Sequence, residues 1–131
     1  MTDAEIVKAY LDASMIPDPE TASTYVADGV EIIFTGGRKF VEPADVAAFN
    51  GKRYGWVKKK MERTDVVETS SMTIVYNSGT LYGTWPDGTE FEGNRYIDRF
   101  EVKEGKITKM EVWNDSAERL LVINGIVEEY R

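Results

Sequence analysis

Acids, tyrosines, lysines, arginines and amides are the side chains that could do chemistry in this chain, because it contains neither cysteine nor histidine. That composition excludes a thiol nucleophile, a disulfide framework, a His-dependent triad and any metal site built on cysteine or histidine. The sequence therefore indicates no metal and no cofactor. Proton transfer would have to come from carboxyl groups, tyrosines and lysines.

Asp98 is the strongest candidate for such chemistry. It lies in the stretch 94–102, which alternates like a half-buried strand, so that Tyr96, Asp98 and Phe100 share one face. The opposite face carries the charges, so the Asp98 carboxyl is predicted to point into apolar surroundings. Burial disfavours the ionised form and raises the pKa of a carboxyl, which is common at functional sites. The alternative is an acid hydrogen-bonded to a tyrosine or an amide for structure alone.

Composition bounds the class of protein. The 131 residues are 42% hydrophobic, which predicts one folded domain, 1–131, with its own core. A net charge of −7 argues against nucleic acid and anionic membrane as partners. The one basic run, Lys58–Lys60, is predicted to be solvated. Because the sequence shows neither a membrane-spanning apolar run nor a signal-peptide pattern, we expect a cytoplasmic protein.

Helical patterns dominate the first third of the chain. A capping box at 2–5 opens the first helix, and Tyr10 lies on its apolar face, pointing into the core or into whatever the core encloses. Asp18 is the predicted N-cap of a short second helix that begins at Pro19 and runs to about Ala27.

The remaining elements are mostly strands. Strands are predicted at about 30–35, 62–69, 72–77, 80–85, 89–102 and 106–113, with a third helix that opens at Pro43 and is interrupted at Gly51 and Gly55, and a last helix that begins at Asp115.

The turn before Lys106 sets which side chains of the last two strands meet. A three-residue loop, 103–105, pairs Asp98 with Met110 and Tyr96 with Val112. A two-residue loop would place Lys109 and Glu111 on the buried face, so the longer loop is preferred. The predicted core face then consists of Tyr96, Asp98, Phe100, Thr108, Met110 and Val112.

The outer face of the same two strands mixes apolar and charged side chains. Ile97, Ile107 and Trp113 are predicted there, with Arg99 opposite Lys109, a pairing that needs an acid or a partner chain nearby. Such a face suits a homodimer interface better than open water.

The element order, and above all residues 93–121 with Gly-Asn-Arg-Tyr-Ile-Asp-Arg-Phe, Gly-Lys-Ile and Val-Trp-Asn-Asp, resembles the nuclear transport factor 2-like superfamily. Within it, the chain is similar to the SnoaL-like group of small bacterial proteins. The resemblance implies an α+β fold, a cone-shaped curved antiparallel sheet wrapped by three N-terminal helices around an internal pocket. Many members are homodimers that pack through the outer sheet face. The superfamily includes ketosteroid isomerases, polyketide cyclases and non-catalytic binders, among which the fold alone does not choose.

Resemblance to the ketosteroid isomerases implies roles for two residues. These enzymes use a tyrosine on the first helix and a protonated acid on the penultimate strand to stabilise an enolate oxygen, and a second acid as base. Tyr10 and Asp98 match the first two, the latter if one loop residue is deleted. The base would fall at Ile33 or Phe34, where no carboxylate stands.

Three other groups of the superfamily can be compared in the same way. Polyketide cyclases resembling this chain use an acid near the end of the last strand, which Asp115 approaches, although Asp115 also suits the N-cap of the last helix. Limonene epoxide hydrolases need Arg-x-Asp on a middle strand. Residues 63–65 contain the Arg-x-Asp motif, but they lie on the strand before the one that should carry it. The strand that matches by position, 81–85, lacks the motif. Scytalone dehydratases use histidines and are excluded.

Two functions follow from these patterns. One is an isomerase- or cyclase-like enzyme for a small apolar carbonyl compound, with Asp98, Tyr10 and Asp115 as catalytic candidates. The other is a non-catalytic protein, either a binder of hydrophobic ligands or a scaffold whose active site is incomplete. In both, the predicted ligand contacts are Tyr54 and Trp56 at the pocket mouth, Asn94, Tyr96, Phe100, Met110 and Val112. Tyr54 and Trp56 could equally be ordinary aromatic packing.

Overall fold

A computed structural model describes residues 1–129 of the chain. Its elements are helices α1 (Asp3–Met15), α2 (Pro19–Ser23), α3 (Pro43–Arg53) and α4 (Ser116–Ile123), a 3-10 turn (Thr35–Gly37), and strands β1 (Val26–Ile33), β2 (Lys39–Phe40), β3 (Trp56–Glu68), β4 (Thr73–Thr84), β5 (Glu90–Lys103) and β6 (Lys106–Asn114). None of the helices in residues 1–129 has the length and apolar content needed to cross a membrane.

One six-stranded open sheet organises the molecule, in the order β2-β1-β6-β5-β4-β3. Every neighbouring pair is antiparallel except β1 and β6, which are parallel. The predicted α+β class is therefore confirmed, with a mixed sheet. The core lies between the inner face of this sheet and α1, where Tyr10 meets Phe100 edge to face at 6.0 Å between ring centroids.

The helix starts follow the predicted capping chemistry. Thr2 Oγ1 accepts from the Glu5 backbone N–H at 3.2 Å and Glu5 Oε1 accepts from the Thr2 N–H at 2.9 Å, which completes the capping box. Asp18 Oδ1 accepts from the Thr21 N–H at 3.1 Å. Helix α2 ends at Ser23 rather than near Ala27, because the chain already enters β1 at Val26.

Two predicted interruptions are wrong, and each contains a glycine. Helix α3 continues through Gly51, and β4 is one strand where two were predicted around Gly79. A Cβ at Gly79 would lie 2.0 Å from the Lys60 carbonyl oxygen of β3, so glycine there permits close contact between two strands rather than a turn.

The β5–β6 turn differs from the predicted three-residue loop. Lys103 pairs with Lys106 across a two-residue turn, in which Glu104 (φ 50°) and Gly105 (φ 75°) both have positive φ, as type I′ turns require. A bulge follows, with Val102 opposite Ile107 and Glu101 opposite Lys109. The extra residue restores the buried face that an unbulged two-residue loop would have lost.

The bulge also changes the predicted pairs. Phe100 lies opposite Met110, Asp98 opposite Val112 and Tyr96 opposite Asn114. The residues predicted on the inner face are nevertheless buried, except Thr108, which is only partly buried.

On the outer side, Arg99 faces Glu111 instead of Lys109. Its Nη1 lies 2.5 Å from Glu101 Oε2 and 3.2 Å from Glu111 Oε1, so the expected repulsion is absent. Ile107 was predicted on this face and is instead fully buried, whereas Ile97 and Trp113 are cross-strand neighbours, 41% and 49% exposed.

Candidate ligand-binding cavity

The Asp98 carboxyl is fully buried on the inner face of β5, between the buried side chains of Tyr96 and Phe100. Its Oδ2 lies 2.5 Å from Lys59 Nζ, and its Oδ1 has no hydrogen-bond partner within residues 1–129. Burial raises the pKa of Asp98 above its usual value, and the Lys59 charge and hydrogen bond oppose that shift. The predicted buried acid is therefore present, and it is ion-paired.

Lys59 is a residue of the candidate site that was not predicted from the sequence. Strand β3 alternates so that Lys58 and Lys60 are exposed, as predicted for the whole run, while Lys59 points inward with only 16% of its side chain exposed. Its Nζ also lies 4.5 Å from the centroid of the Tyr96 ring, a cation–π distance. The alternation of apolar residues at Val57 and Met61 was the signal that could have identified it.

Tyr10 lies on the inner face of α1, as predicted, and is 2% exposed. Burial raises the pKa of Tyr10 to about 12; a hydrogen bond with Ser14 opposes this shift, and the nearby charge of Asp98 adds to it. The tyrosine therefore stays protonated at neutral pH and can donate a hydrogen bond.

A cavity of about 70 Å³ lies between α1, α3 and the inner faces of β3 and β6. Tyr10, Lys59 and the predicted contacts Tyr54, Met110 and Val112 line it. The other lining residues are Leu11, Ser14, Met15, Phe34, Val46, Asn50, Arg53, Val57, Lys58, Leu81 and Asn114. Asp98 is not part of the lining and reaches the cavity through its ion pair with Lys59.

Three predicted ligand contacts are buried in the structure without lining this cavity. Phe100 packs in the core, and Tyr96 donates from its hydroxyl to Asn77 Oδ1 at 2.6 Å. Asn94 Nδ2 donates to Ser116 Oγ at 3.3 Å, and the same oxygen lies 2.7 Å from the Tyr54 hydroxyl. This second network joins the start of α4 to the sheet and to Tyr54, the residue that follows α3.

Asp115 and Trp56 lie away from the cavity. The Asp115 carboxylate accepts from Arg95 Nε at 2.7 Å, and this hydrogen bond lowers the pKa of Asp115. Its predicted N-cap hydrogen bond is absent, since both carboxylate oxygens accept from Arg95 instead. Asn114 Oδ1 accepts from the Ser116 N–H at 3.1 Å. Trp56 is 48% exposed and lines an open surface groove.

The position where a steroid-isomerase base was sought contains no acid. Phe34 lines the cavity there, and among residues 1–129 no carboxylate belongs to the lining. The charged side chains of the lining are Arg53, Lys58 and Lys59. The cavity thus offers cationic and phenolic hydrogen-bond donors within largely apolar walls.

Compared by sequence, the chain matches no protein-family model and no curated protein. Compared by structure, it is similar to an NTF2-like protein of unknown function from Burkholderia pseudomallei, at a TM-score of 0.75 and 16% identity over 94% of this chain and 98% of that one. An NTF2-like protein from Burkholderia thailandensis has a TM-score of 0.72 and 21% identity, over 97% and 98% of the two chains. A protein from Jannaschia sp. CCS1, provisionally assigned as a SnoaL-like polyketide cyclase, has a TM-score of 0.69 and 16% identity over 92% and 90%.

These similarities confirm the predicted fold. The chain shares the cone-shaped α+β fold of these NTF2-like proteins, and the SnoaL-like protein from Jannaschia is similar to it in fold. At these identities the likeness concerns the fold, and activity has to be argued from the cavity itself.

Proposed function

We propose that this protein binds a small, mostly apolar carbonyl compound in the cavity and promotes an isomerase- or cyclase-like proton transfer there. The observation that carries the proposal is the buried Lys59–Asp98 pair, whose lysine lines the cavity together with Tyr10. Taking two charges out of water costs free energy that their mutual attraction repays only when the geometry is good, so a buried ion pair is weak evidence for a purely stabilising role. A perturbed acid beside a cavity is therefore a functional candidate.

The proposed chemistry begins at the ligand's oxygen. The Lys59 ammonium has three N–H donors, and Asp98 Oδ2 accepts one of them, which leaves donors for the cavity. A carbonyl oxygen that accepts from Lys59 and Tyr10 can bear the negative charge that develops when a neighbouring carbon loses a proton. Asp98 then positions Lys59, instead of donating directly to the ligand as the sequence analysis expected.

A water molecule in the cavity is the proposed base, because the described cavity lining contains no carboxylate. It takes the proton from the carbon next to the carbonyl and returns it to a carbon of the enolate, so that an isomerisation consumes and releases no net proton. A volume of about 70 Å³ admits roughly five water-sized sites. That space suits a ligand of a few heavy atoms with a neighbouring water.

The second candidate is a non-catalytic binder that uses the same donors. The lack of an acid in the lining favours it, since proton abstraction by water alone is slow. In this alternative, Asp98 and Lys59 orient the ligand's oxygen and nothing more.

A thermal-shift screen of small ketones, aldehydes and phenols tests the binding claim. A ligand at 100 times its Kd adds about 2.7 kcal/mol, a shift of several degrees for a domain of this size. We expect a hit whose shift is lost in Lys59→Met and kept in Lys60→Met, the exposed neighbour on the same strand. Equal shifts in both variants would contradict the proposed site.

Proton exchange then separates the two candidates. In heavy water, an enzyme of this kind should accelerate deuterium incorporation next to the carbonyl of the bound ligand, as followed by proton NMR. We expect Tyr10→Phe to lower that rate on the order of 10²-fold or more, as loss of one oxyanion donor usually does. Binding without exchange would identify the non-catalytic binder.

A further inference from the structure

Arg53, in the last turn of α3, has an unusual environment for a cation. Its guanidinium carbon lies 5.9, 5.1 and 5.3 Å from the ring centroids of Phe34, Phe49 and Tyr54. Its Nη1 is buried without a hydrogen-bond partner, and no carboxylate within residues 1–129 forms an ion pair with it. The aromatic rings stabilise the charge of the guanidinium, but they accept no hydrogen bond from the N–H donors that lie in the guanidinium plane.

The charge of the cavity differs from that of the whole chain. The chain has a net charge of −7, yet the charged residues of the described lining are the three cations Arg53, Lys58 and Lys59. Asp98 neutralises Lys59, and Lys58 is exposed to solvent. Arg53 is therefore the lining cation that lacks both a partner and full hydration.

We propose that the ligand of this cavity carries a carboxylate that binds to Arg53, in addition to the carbonyl group that binds to Lys59 and Tyr10. A short-chain oxo acid has that chemistry. The inference rests on the proposed function, since it assigns the second polar group of the same ligand. A guanidinium matches a carboxylate through two parallel hydrogen bonds, and the aromatic rings fix its plane.

The rest of the cavity limits what lies between the two polar groups. Its remaining walls include Leu11, Val46, Val57 and Leu81, which favour an apolar chain. The volume of about 70 Å³ restricts that chain to a few carbons.

Calorimetric titration with matched ligands tests this inference. The probes are 2-oxobutanoate and 4-oxopentanoate, each compared with a ketone in which an isopropyl group replaces the carboxylate. We expect at least one oxo acid to bind about tenfold tighter, or more, than its ketone to the unaltered protein, a difference of about 1.4 kcal/mol. Arg53→Gln should abolish that preference and leave ketone binding within about twofold.

Arg38→Gln is the matched control. Arg38 stacks on the same Phe49 ring at 5.0 Å but does not line the cavity, so its loss should leave the preference intact. If Arg53→Gln does not fold, Arg53→Lys retains the charge without the two-bond geometry and should lose most of the preference.

The outcomes distinguish this inference from the function on which it rests. Ketones that bind as tightly as the oxo acids would overturn the carboxylate site and leave the carbonyl pocket standing. A preference that survives Arg53→Gln, or that Arg38→Gln removes equally, would also overturn it. Failure of all four probes to bind would contradict both proposals.

Discussion

Half of the Asp98 carboxyl is paired and half is not. Oδ2 binds Lys59, while Oδ1 is buried without a partner among residues 1–129. A buried carboxylate with one donor is poorly compensated, and its free energy depends strongly on the cation beside it. The free energy of the ion pair should therefore change when a ligand or a substitution alters the surroundings of Lys59.

Lys59→Met should destabilise the protein by about 3–5 kcal/mol at pH 7, because it leaves an uncompensated buried charge. Urea unfolding followed by circular dichroism measures this loss. The double variant Lys59→Met with Asp98→Leu should recover most of the lost stability, since no buried charge remains. A double variant as unstable as the single one would show that packing, not charge, sets the effect.

Tyr10 should make the protein sensitive to alkali. Its pKa is raised from 10.0 to about 12 in the folded protein, so its contribution to stability is complete below pH 10 and is lost as the pH rises towards 12. Urea unfolding between about pH 9 and pH 11 should show a steeper loss for the unaltered protein than for Tyr10→Phe. Parallel curves for the two proteins would contradict this.

Asp98 and Tyr10 could be predicted from the sequence, whereas Lys59 and Arg53 could not. Asp98 and Tyr10 differ in polarity from the apolar neighbours on their own faces, so periodicity marks them. Lys59 lies between two other lysines, and only the strand phase reveals which one points inward. Arg53 depends on where α3 ends, and the glycine at 51 suggested an earlier end.

At the scale of elements, the β5–β6 hairpin shows how a local irregularity preserves a global pattern. The two-residue turn alone would rotate the charges of β6 inward, and the bulge near Thr108 cancels that rotation. The sequence pattern predicts the buried face, but it places the extra residue in the loop, because a bulge leaves no signal in the composition.

Glu104 is the strained residue of this turn. It has a φ of 50°, whereas type I′ turns favour asparagine before glycine. Glu104→Asn should therefore raise the free energy of unfolding by roughly 0.5–1 kcal/mol, measured by urea unfolding. The control Lys103→Asn, outside the two turn residues, should bring no such gain, and an equal gain there would contradict the turn argument.

At the scale of the whole molecule, the fold class and the superfamily resemblance were predictable from element order. The parallel pairing of β1 with β6 was not predictable, because the two strands are far apart in sequence and no turn motif connects them. The dimer stays a prediction, supported by the exposed pair Ile97 and Trp113 on the outer sheet face.

Trp113→Glu should convert a dimer into monomers, because it places a charge in the centre of the proposed apolar interface. Size-exclusion chromatography with light scattering reports the mass of each form. Val66→Glu is a control of similar exposure on β3, away from the proposed centre, and should leave the dimer unchanged. A monomeric unaltered protein would rule out the interface.

In the proposed site, Lys59 is held by Asp98 and polarises a ligand's carbonyl group. The most direct test is the carbon-13 NMR shift of a ketone labelled at its carbonyl carbon, bound to the unaltered protein and to Lys59→Met. We expect a downfield shift of the carbonyl signal on binding, and we expect it to be lost in Lys59→Met. A bound ketone whose carbonyl shift is unchanged, or is the same in both proteins, would contradict it.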